Sequence, residues 1–305
     1  SGSNRYIISN NESALNVMET FALFKLNNWD EISVDIIPLF ESVDDLKNAH
    51  VIMEKLYSNP VYVEYLASRN NKQVIMLGFS DGTKDGGYLK ANWEIYETKE
   101  QLTKVSEDYG IKVIFFDGRG GPPARGGGKT HDFYASQGKT IANNKIEITI
   151  QGQTITSVFG NKDQAKYNFE QLLTAGIEND VFKNSKKDLS QKERELIEEL
   201  ANISFKKYSD LKAHPMFVPY LQEMSTLEYY GKTNIGSRPS KRGAGNEIKF
   251  EDLRAIPFVG SWSQLKQNVP GFFGFGFALH DLKKEGRFDE VLALYKGSDF
   301  FKTLV

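Results

Sequence analysis

Residues 111–131 have the sequence IKVIFFDGRGGPPARGGGKTH, and this stretch decides how we interpret the fold. Its first part, residues 111–116, is a mostly apolar run that predicts a buried β-strand. The strand leads into a loop of glycine and proline that contains Arg119 and Arg125. Glycine allows backbone N–H groups to approach a ligand closely, and arginine binds phosphate or carboxylate with two parallel hydrogen bonds. Such a loop at the carboxyl end of a strand predicts an anion-binding site.

The same loop has a competing interpretation as an RNA-binding module of the RGG type. The glycines nearest Arg119 are Gly118, Gly120 and Gly121, and arginine beside glycine is common in such modules. The chain contains 38 Lys and Arg against 40 Asp and Glu, a net charge of −2. Proteins whose main partner is nucleic acid usually carry a clear basic excess. The composition therefore favours a small anionic ligand and argues against nucleic acid.

Two more apolar runs lie upstream, at residues 32–40 and 74–79. The predicted strand ends at Glu41, Phe79 and Phe116 are separated by 38 and 37 residues. A strand–helix unit that repeats at this period requires parallel strands joined by crossover helices. The pattern predicts an α/β fold, as either a (β/α) barrel or an open doubly wound sheet.

Local signals place the elements around these strands. A short apolar run at residues 6–9 precedes a segment with helical spacing at 14–29, and Ser42 is a predicted N-cap of the next helix. Residues 80–87 are rich in glycine and aspartate and predict a loop, and a long helix is expected from about 88 to 109.

The second half of the chain follows a different pattern. Residues 146–155 alternate between apolar and polar and predict a hairpin or an edge strand, and residues 162–229 are mostly helical in spacing. Glycine, proline and basic residues return at 231–257. The small and aromatic residues that alternate at 271–279 predict close packing of elements, which we favour over a stacking platform.

Length and composition limit the class of protein. With 305 residues, 40% of them apolar, the chain can bury a substantial core. The absence of cysteine excludes disulfides, thiolate metal sites and cysteine nucleophiles, and fits a reducing compartment. No apolar run is long enough for a membrane span, so we expect a cytoplasmic protein with no membrane partner.

Two carboxylates are predicted at the ends of neighbouring strands. Glu41 and Asp81 follow the second and third apolar runs, and oxygen ligands in such positions suit Mg²⁺ or Mn²⁺. The alternative is that both residues only cap helices or turns. Lys84, in the same predicted loop as Asp81, could bind an anion or simply be a solvated lysine.

Motifs along nearly the whole chain resemble those of the phosphoenolpyruvate carboxylase family. The matching pieces, in chain order, are YIIS…SALNVM, VDIIPLFES, MLGFSDGTKDGG, FFDGRGG, ARGGGKTH, ITIQGQ, IGSRPSKR and LRAIPF. The resemblance implies an α/β fold, a partial (β/α)8 TIM-type barrel with extensive additional α-helices. It also implies a Mg²⁺ or Mn²⁺ cofactor and a parent enzyme that is a homo-oligomer, a tetramer.

The reaction implied by the resemblance joins phosphoenolpyruvate and bicarbonate. They give carboxyphosphate and a metal-stabilised enolate, carboxyphosphate breaks to CO₂ and phosphate, and the enolate attacks CO₂ to form oxaloacetate. Glu41 in PLFE and Asp81 in FSD resemble the metal ligands, and Lys84 resembles the lysine near the substrate.

The arginines are assigned by the same resemblance. Arg119 in GRGG resembles the arginine that holds the transferring phosphoryl group, with Gly118, Gly120 and Gly121 beside the substrate. Arg125 in ARGGG resembles a mobile-loop arginine that serves catalysis or is captured by a dicarboxylate inhibitor such as aspartate or malate. The remaining substrate-side arginines are Arg238 in GSRP and Arg254 in LRAIP.

The resemblance divides the chain into four predicted segments. Residues 1–3 are a cloning scar, and 4–160 hold the parallel βα units with the metal and phosphate loops. A helical insertion is expected at 161–230, and 231–305 form a further barrel-type segment that is truncated at its end.

Three departures from the family pattern bear on activity. Asp117 stands where the family usually has histidine and is expected to pair with Arg119 or another cation, and QGQ replaces the common Gln-Gly-Glu at 151–153. The family's N-terminal half, with an essential histidine, and its C-terminal segment are missing. We therefore expect a fragment that is inactive or weakly active alone; a non-catalytic fragment that binds dicarboxylates is the alternative. A partial barrel should also expose strand edges and self-associate, or cover the gap with extra helices.

Overall fold

A computed structural model describes residues 3–29, 31–182, 188–230 and 249–305. The chain divides into two compact units that alternate along the sequence. Unit 1 contains residues 1–78, 94–120 and 129–188, and unit 2 contains residues 79–93, 121–128 and 189–305.

Unit 1 is built on a parallel five-stranded sheet. Its strands are β1 (Arg5–Ile8), β2 (Asp35–Phe40), β3 (Lys72–Leu77), β4 (Lys112–Gly120) and β5 (Ile146–Ile150). They pair in the order β1-β2-β3-β4-β5, and every pair is parallel. In the part of the chain that the structure describes, this order has no reversal point of the kind that defines a doubly wound sheet, and the sheet is consistent with part of a barrel. The predicted α/β class and the parallel strands are confirmed.

Helices connect the strands, as the strand spacing predicted. Those of unit 1 are α1 (Ala14–Leu26), α2 (Val43–Tyr57), α3 (Pro60–Ser68), α6 (Thr130–Ala135), α7 (Gly152–Phe159) and α8 (Lys162–Val181). The long helix α5 (Tyr88–Asp108) confirms the prediction for that segment and contributes residues to both units. Ser42 caps α2 as predicted, and its side chain accepts a hydrogen bond from the Asp45 backbone N–H.

Unit 2 is helical in its described residues, which confirms the helical prediction for most of 189–229. Its helices are α4 (Phe79–Gly86), α9 (Gln191–Lys212), α10 (Phe217–Met224), α11 (Leu227–Tyr230), α12 (Ala255–Gln264), α13 (Val269–Phe272), α14 (Phe275–Lys284), α15 (Phe288–Gly297) and α16 (Asp299–Leu304). Short 3-10 helices occur at Pro123–Arg125 and Phe250–Asp252.

The residues at 271–279 pack closely, as their alternation predicted. Gly274 has a φ of 94°, and a Cβ added to it would lie 2.2 Å from the backbone oxygen of Ser204. Only glycine combines this backbone conformation with such a close approach.

Two local predictions were wrong. Residues 80–86, predicted as a loop, belong to helix α4, and β4 continues to Gly120 instead of ending at Phe116. For residues 146–155 the structure confirms the edge strand and not the hairpin: β5 pairs in parallel with β4 at the end of the strand order, and α7 follows it. In both of the wrong predictions a glycine-rich sequence indicated a loop, while packing against neighbouring elements fixed a helix or a strand.

Candidate active-site residues

Glu41 and Arg119 lie at the same edge of the unit 1 sheet. Phe40 and Leu77, the last residues of β2 and β3, are in register with Asp117 near the carboxyl end of β4. Glu41 follows Phe40 directly, and Arg119 is two residues beyond Asp117. Glu41 is 8% exposed and Arg119 is 2% exposed. Two charged residues buried at the carboxyl edge of a parallel sheet are typical of a functional site and unusual in a core.

Glu41 does not serve as the helix cap that the sequence left open as its alternative role. The N-cap of α2 is Ser42, and its backbone N–H donates the reciprocal hydrogen bond to the Asp45 side chain. Gly78 makes room for the glutamate, because a Cβ at that position would lie 3.0 Å from Glu41 Cγ. Glu41 therefore offers a carboxylate in a close-packed place, a hard oxygen donor of the type that Mg²⁺ and Mn²⁺ prefer.

Arg119 lies in strand β4, where the sequence predicted a loop. Its guanidinium carbon is 4.0 Å from the centre of the Phe133 ring on α6, a cation–π contact. Gly118 and Gly120 flank it within the strand, and the Gly120 carbonyl accepts a hydrogen bond of 2.9 Å from the Gln151 N–H. The arginine is therefore held on strand β4, where the pairing with β5 shifts register between Asp117 and Gly120, and against an aromatic surface.

The partner of Asp117 is Lys99, a residue that the sequence analysis did not identify. The Lys99 Nζ lies 2.6 Å from Asp117 Oδ2, and the Tyr134 hydroxyl donates to the same oxygen at 2.7 Å. Burial lowers the pKa of Lys99, against the raising effect of Asp117, and burial raises the pKa of Tyr134 well above its usual value. Lys99 lies on α5 three residues from both Tyr96 and Leu102, which are buried. This helical spacing from two apolar residues was the sequence signal that could have identified Lys99 as a buried residue.

In unit 2, Asp81 and Lys84 are both carried by α4. The Lys84 Nζ is 3.5 Å from the backbone oxygen of Phe250 and 4.3 Å from the centre of its ring. The Tyr208 hydroxyl on α9 donates to the Lys84 carbonyl at 2.9 Å. Lys84 is therefore a half-buried lysine with defined contacts, not the fully solvated one of the alternative interpretation.

Arg125 is buried, and the segment of residues 123–127 that carries it packs against α4. The residue closes the 3-10 helix Pro123–Arg125 and is 6% exposed. The Ser80 hydroxyl donates to its carbonyl at 3.3 Å, and the Tyr88 hydroxyl donates to the Gly127 carbonyl at 3.5 Å. Burial lowers the pKa of Arg125 to about 10, although the charge of Asp81 acts in the opposite direction.

Replacing Gly126 with alanine is expected to displace residues 123–127 from α4. Gly126 has a φ of 78°, and a Cβ there would lie 2.7 Å from the Phe79 backbone oxygen. Gly110→Ala is the matched control, because Gly110 has a φ of 67° with nothing within 4 Å, so it isolates the backbone strain of about 1–2 kcal/mol. Trypsin should cut after Arg125 faster in Gly126→Ala than in Gly110→Ala or the unchanged chain. Equal cutting rates in both variants would show that the Gly126 contact does not hold the segment.

The remaining predicted residues are placed as follows. Gly121 is buried directly after β4, and Arg254 is half-buried just before α12. Arg238 lies outside the described residues. The predicted set is thus divided by unit: Glu41, Gly118, Arg119 and Gly120 belong to unit 1, and Asp81, Lys84, Gly121, Arg125 and Arg254 belong to unit 2.

The burial of both loop arginines does not favour the RNA-binding alternative. An RGG-type module presents its arginines to solvent, whereas Arg119 and Arg125 are 2% and 6% exposed. Within the described ranges, no helix is both long enough and apolar enough to cross a membrane.

Comparison with known proteins agrees with the motifs. The family model described as phosphoenolpyruvate carboxylase matches residues 1–305. A phosphoenolpyruvate carboxylase of Corynebacterium efficiens is 37% identical over 296 residues, 95% of this chain and 32% of the relative. That of Corynebacterium glutamicum is 37% identical over 312 residues, and that of Corynebacterium diphtheriae 34% over 306; each match covers 98% of this chain and 34% of the relative. The chain spans about a third of the length of these relatives, and it belongs to the phosphoenolpyruvate carboxylase family.

Proposed function

We propose that this chain carries active-site residues for the carboxylation of phosphoenolpyruvate by bicarbonate, which yields oxaloacetate and phosphate. The observation that carries the proposal is the buried Arg119 at the carboxyl end of β4, at the same edge as the buried Glu41. A guanidinium fixed before the substrate arrives can stabilise the charge on a transferring phosphoryl group without reorganisation.

Asp117 supports this role because its negative charge is paired with Lys99. A carboxylate two residues from a phosphate-binding arginine would compete for it, but the Asp117 carboxylate contacts Lys99 and Tyr134. Arg119 would therefore bind the phosphoryl oxygens while Lys99 compensates the aspartate.

Glu41 and Asp81 would hold Mg²⁺ or Mn²⁺, since both offer the hard oxygen atoms that these ions take. When bound, the metal supplies positive charge beside the phosphoryl and enolate oxygens. Lys84, Arg238 and Arg254 would bind the anionic substrate. Arg125 would act in catalysis or hold a dicarboxylate inhibitor such as aspartate or malate.

The larger assembly belongs to the same proposal. The five sequential parallel strands support a partial (β/α)8 TIM-type barrel, because consecutive strands of such a barrel are neighbours. The full-length enzyme would be a homo-oligomer, a tetramer, in the cytoplasm.

Calorimetric titration of phosphoenolpyruvate with and without Mn²⁺ tests the proposal. We expect Mn²⁺-dependent binding that weakens about tenfold or more in Arg119→Ala, since hydrogen bonds to charged groups are worth about 1.5–3 kcal/mol. Arg69→Ala is the control, because Arg69 pairs with Asp35 at the opposite, amino end of β2. A bicarbonate-dependent turnover assay then measures the reaction itself.

Two results would contradict the proposal. One is the absence of phosphoenolpyruvate binding in both conditions. The other is metal-independent binding of aspartate or malate without turnover, which would identify a non-catalytic dicarboxylate-binding chain.

A further inference from the structure

Two side chains meet on one buried carboxylate oxygen of Asp117, two residues before Arg119. Lys99 from α5 and Tyr134 from α6 both bind Asp117 Oδ2 on β4, at 2.6 and 2.7 Å. The side chains of Lys99 and Asp117 are 1% and 0% exposed. This buried cluster of three side chains links strand β4 to helices α5 and α6 at a single oxygen atom.

Helix α6, which the Tyr134 hydrogen bond joins to Asp117, also carries the aromatic surface under Arg119. Phe133 precedes Tyr134 on α6, and its ring lies 4.0 Å from the Arg119 guanidinium carbon. The Phe133 and Tyr134 rings meet edge to face at 5.2 Å, and the Lys99 Nζ lies 5.6 and 5.5 Å from their centres. A shift of α6 would therefore move the ring that supports the arginine.

We propose that Lys99, Asp117 and Tyr134 are positioning residues for Arg119. By holding α6 against β4, they fix the orientation in which Arg119 meets a phosphoryl group; this inference rests on the proposed function of that arginine.

The burial of Asp117 indicates that it acts through Arg119 and does not touch the substrate. Its side chain is fully buried, and its other oxygen, Oδ1, accepts no hydrogen bond from the residues that the structure describes. A carboxylate with no accessible surface cannot exchange a proton directly with a ligand. It can only hold the groups that do meet one.

Tyr134→Phe tests the proposal with the least disturbance, because it removes one hydrogen bond and keeps the ring. Tyr62→Phe is the matched control: Tyr62 is also fully buried, and its hydroxyl donates to Gln73 Oε1 at 2.8 Å in the same unit. The readout is the rate at which phenylglyoxal modifies Arg119, measured by peptide mass spectrometry, with Arg69 in the same sample as the reference.

We expect Tyr134→Phe to raise the modification rate of Arg119 relative to Arg69 about tenfold, the factor that one hydrogen bond to a charged group represents. Tyr62→Phe should leave this ratio unchanged. The double variant Lys99→Met/Asp117→Asn removes both charges of the buried pair, and we expect it to raise the modification ratio as well. It replaces Tyr134→Phe as the test if Tyr134→Phe does not fold. An unchanged ratio in the folded variants would overturn the proposal.

A second arm separates this proposal from the proposed function. Phosphoenolpyruvate with Mn²⁺ should protect Arg119 from phenylglyoxal in the unchanged chain. If it gives no protection while Tyr134→Phe still raises the ratio, the substrate assignment fails and the positioning network stands. If it protects while both network variants match the unchanged chain, the function stands and the network is refuted.

Discussion

Replacing Lys99 with methionine is expected to lower the free energy of unfolding by about 3–5 kcal/mol, the cost typical of breaking a buried ion pair from one side. Methionine fills much of the space of lysine but leaves the Asp117 carboxylate charged and without a cation at 2.6 Å. Both side chains are almost completely buried, so water cannot replace the lost partner. Denaturant unfolding at neutral pH measures the change.

The control for this variant lies on the same helix. Lys104 pairs with Asp108 at 2.7 Å on the exposed face of α5, and Lys104→Met should change stability little, because water screens exposed pairs. The double variant Lys99→Met/Asp117→Asn should recover much of the loss, since it removes both charges. If Lys99→Met were as mild as Lys104→Met, the ion pair would not be the buried contact described here.

The sequence predicted the frame of unit 1 well because its signals are local. The apolar runs marked β2, β3 and β4, and the separations of 38 and 37 residues between their predicted ends required a parallel sheet with crossover helices. Ser42 predicted the start of α2, because the hydrogen bonds of an N-cap join residues that are only three positions apart.

The errors arose where glycine was taken as a sign of a loop. The segment FSDGTKDG forms α4, although glycine is a poor helix former in isolation. In β4, the GRG sequence stays in the strand because Gly120 packs against the backbone of β5. Tertiary contacts decided both cases, and no local propensity reports them.

The sequence was enough to identify several residues of the candidate site, but not the contacts that these residues make. Arg119, Glu41 and Asp81 were identified from their motifs, whereas the Lys99 that compensates Asp117 is 18 positions away in sequence and on another element. A lysine within a helix usually indicates a solvated face. Only its position among buried neighbours set it apart.

Gly120→Ala is expected to break the junction of β4 and β5 and to cost about 3 kcal/mol or more, at the upper end for an overpacked site. A Cβ on Gly120 would lie 2.1 Å from the Thr149 carbonyl oxygen and 2.5 Å from Ile150 Cα. Both are backbone atoms, so no side-chain rotation can relieve the clash, and the strands must separate. Denaturant unfolding measures the loss.

Gly152→Ala is the control, since Gly152 begins α7 and a Cβ there would meet nothing within 4 Å. That variant should be neutral or slightly stabilising, because alanine reduces the entropy of the unfolded chain. Gly120→Ala should also weaken phosphoenolpyruvate binding, although it keeps Arg119 itself. We expect this loss with the guanidinium still present because β4 presents Arg119 one residue before the clash, so that separating the strands displaces it. Full binding in Gly120→Ala would instead mean that the strand geometry at Gly120 does not determine where the arginine lies.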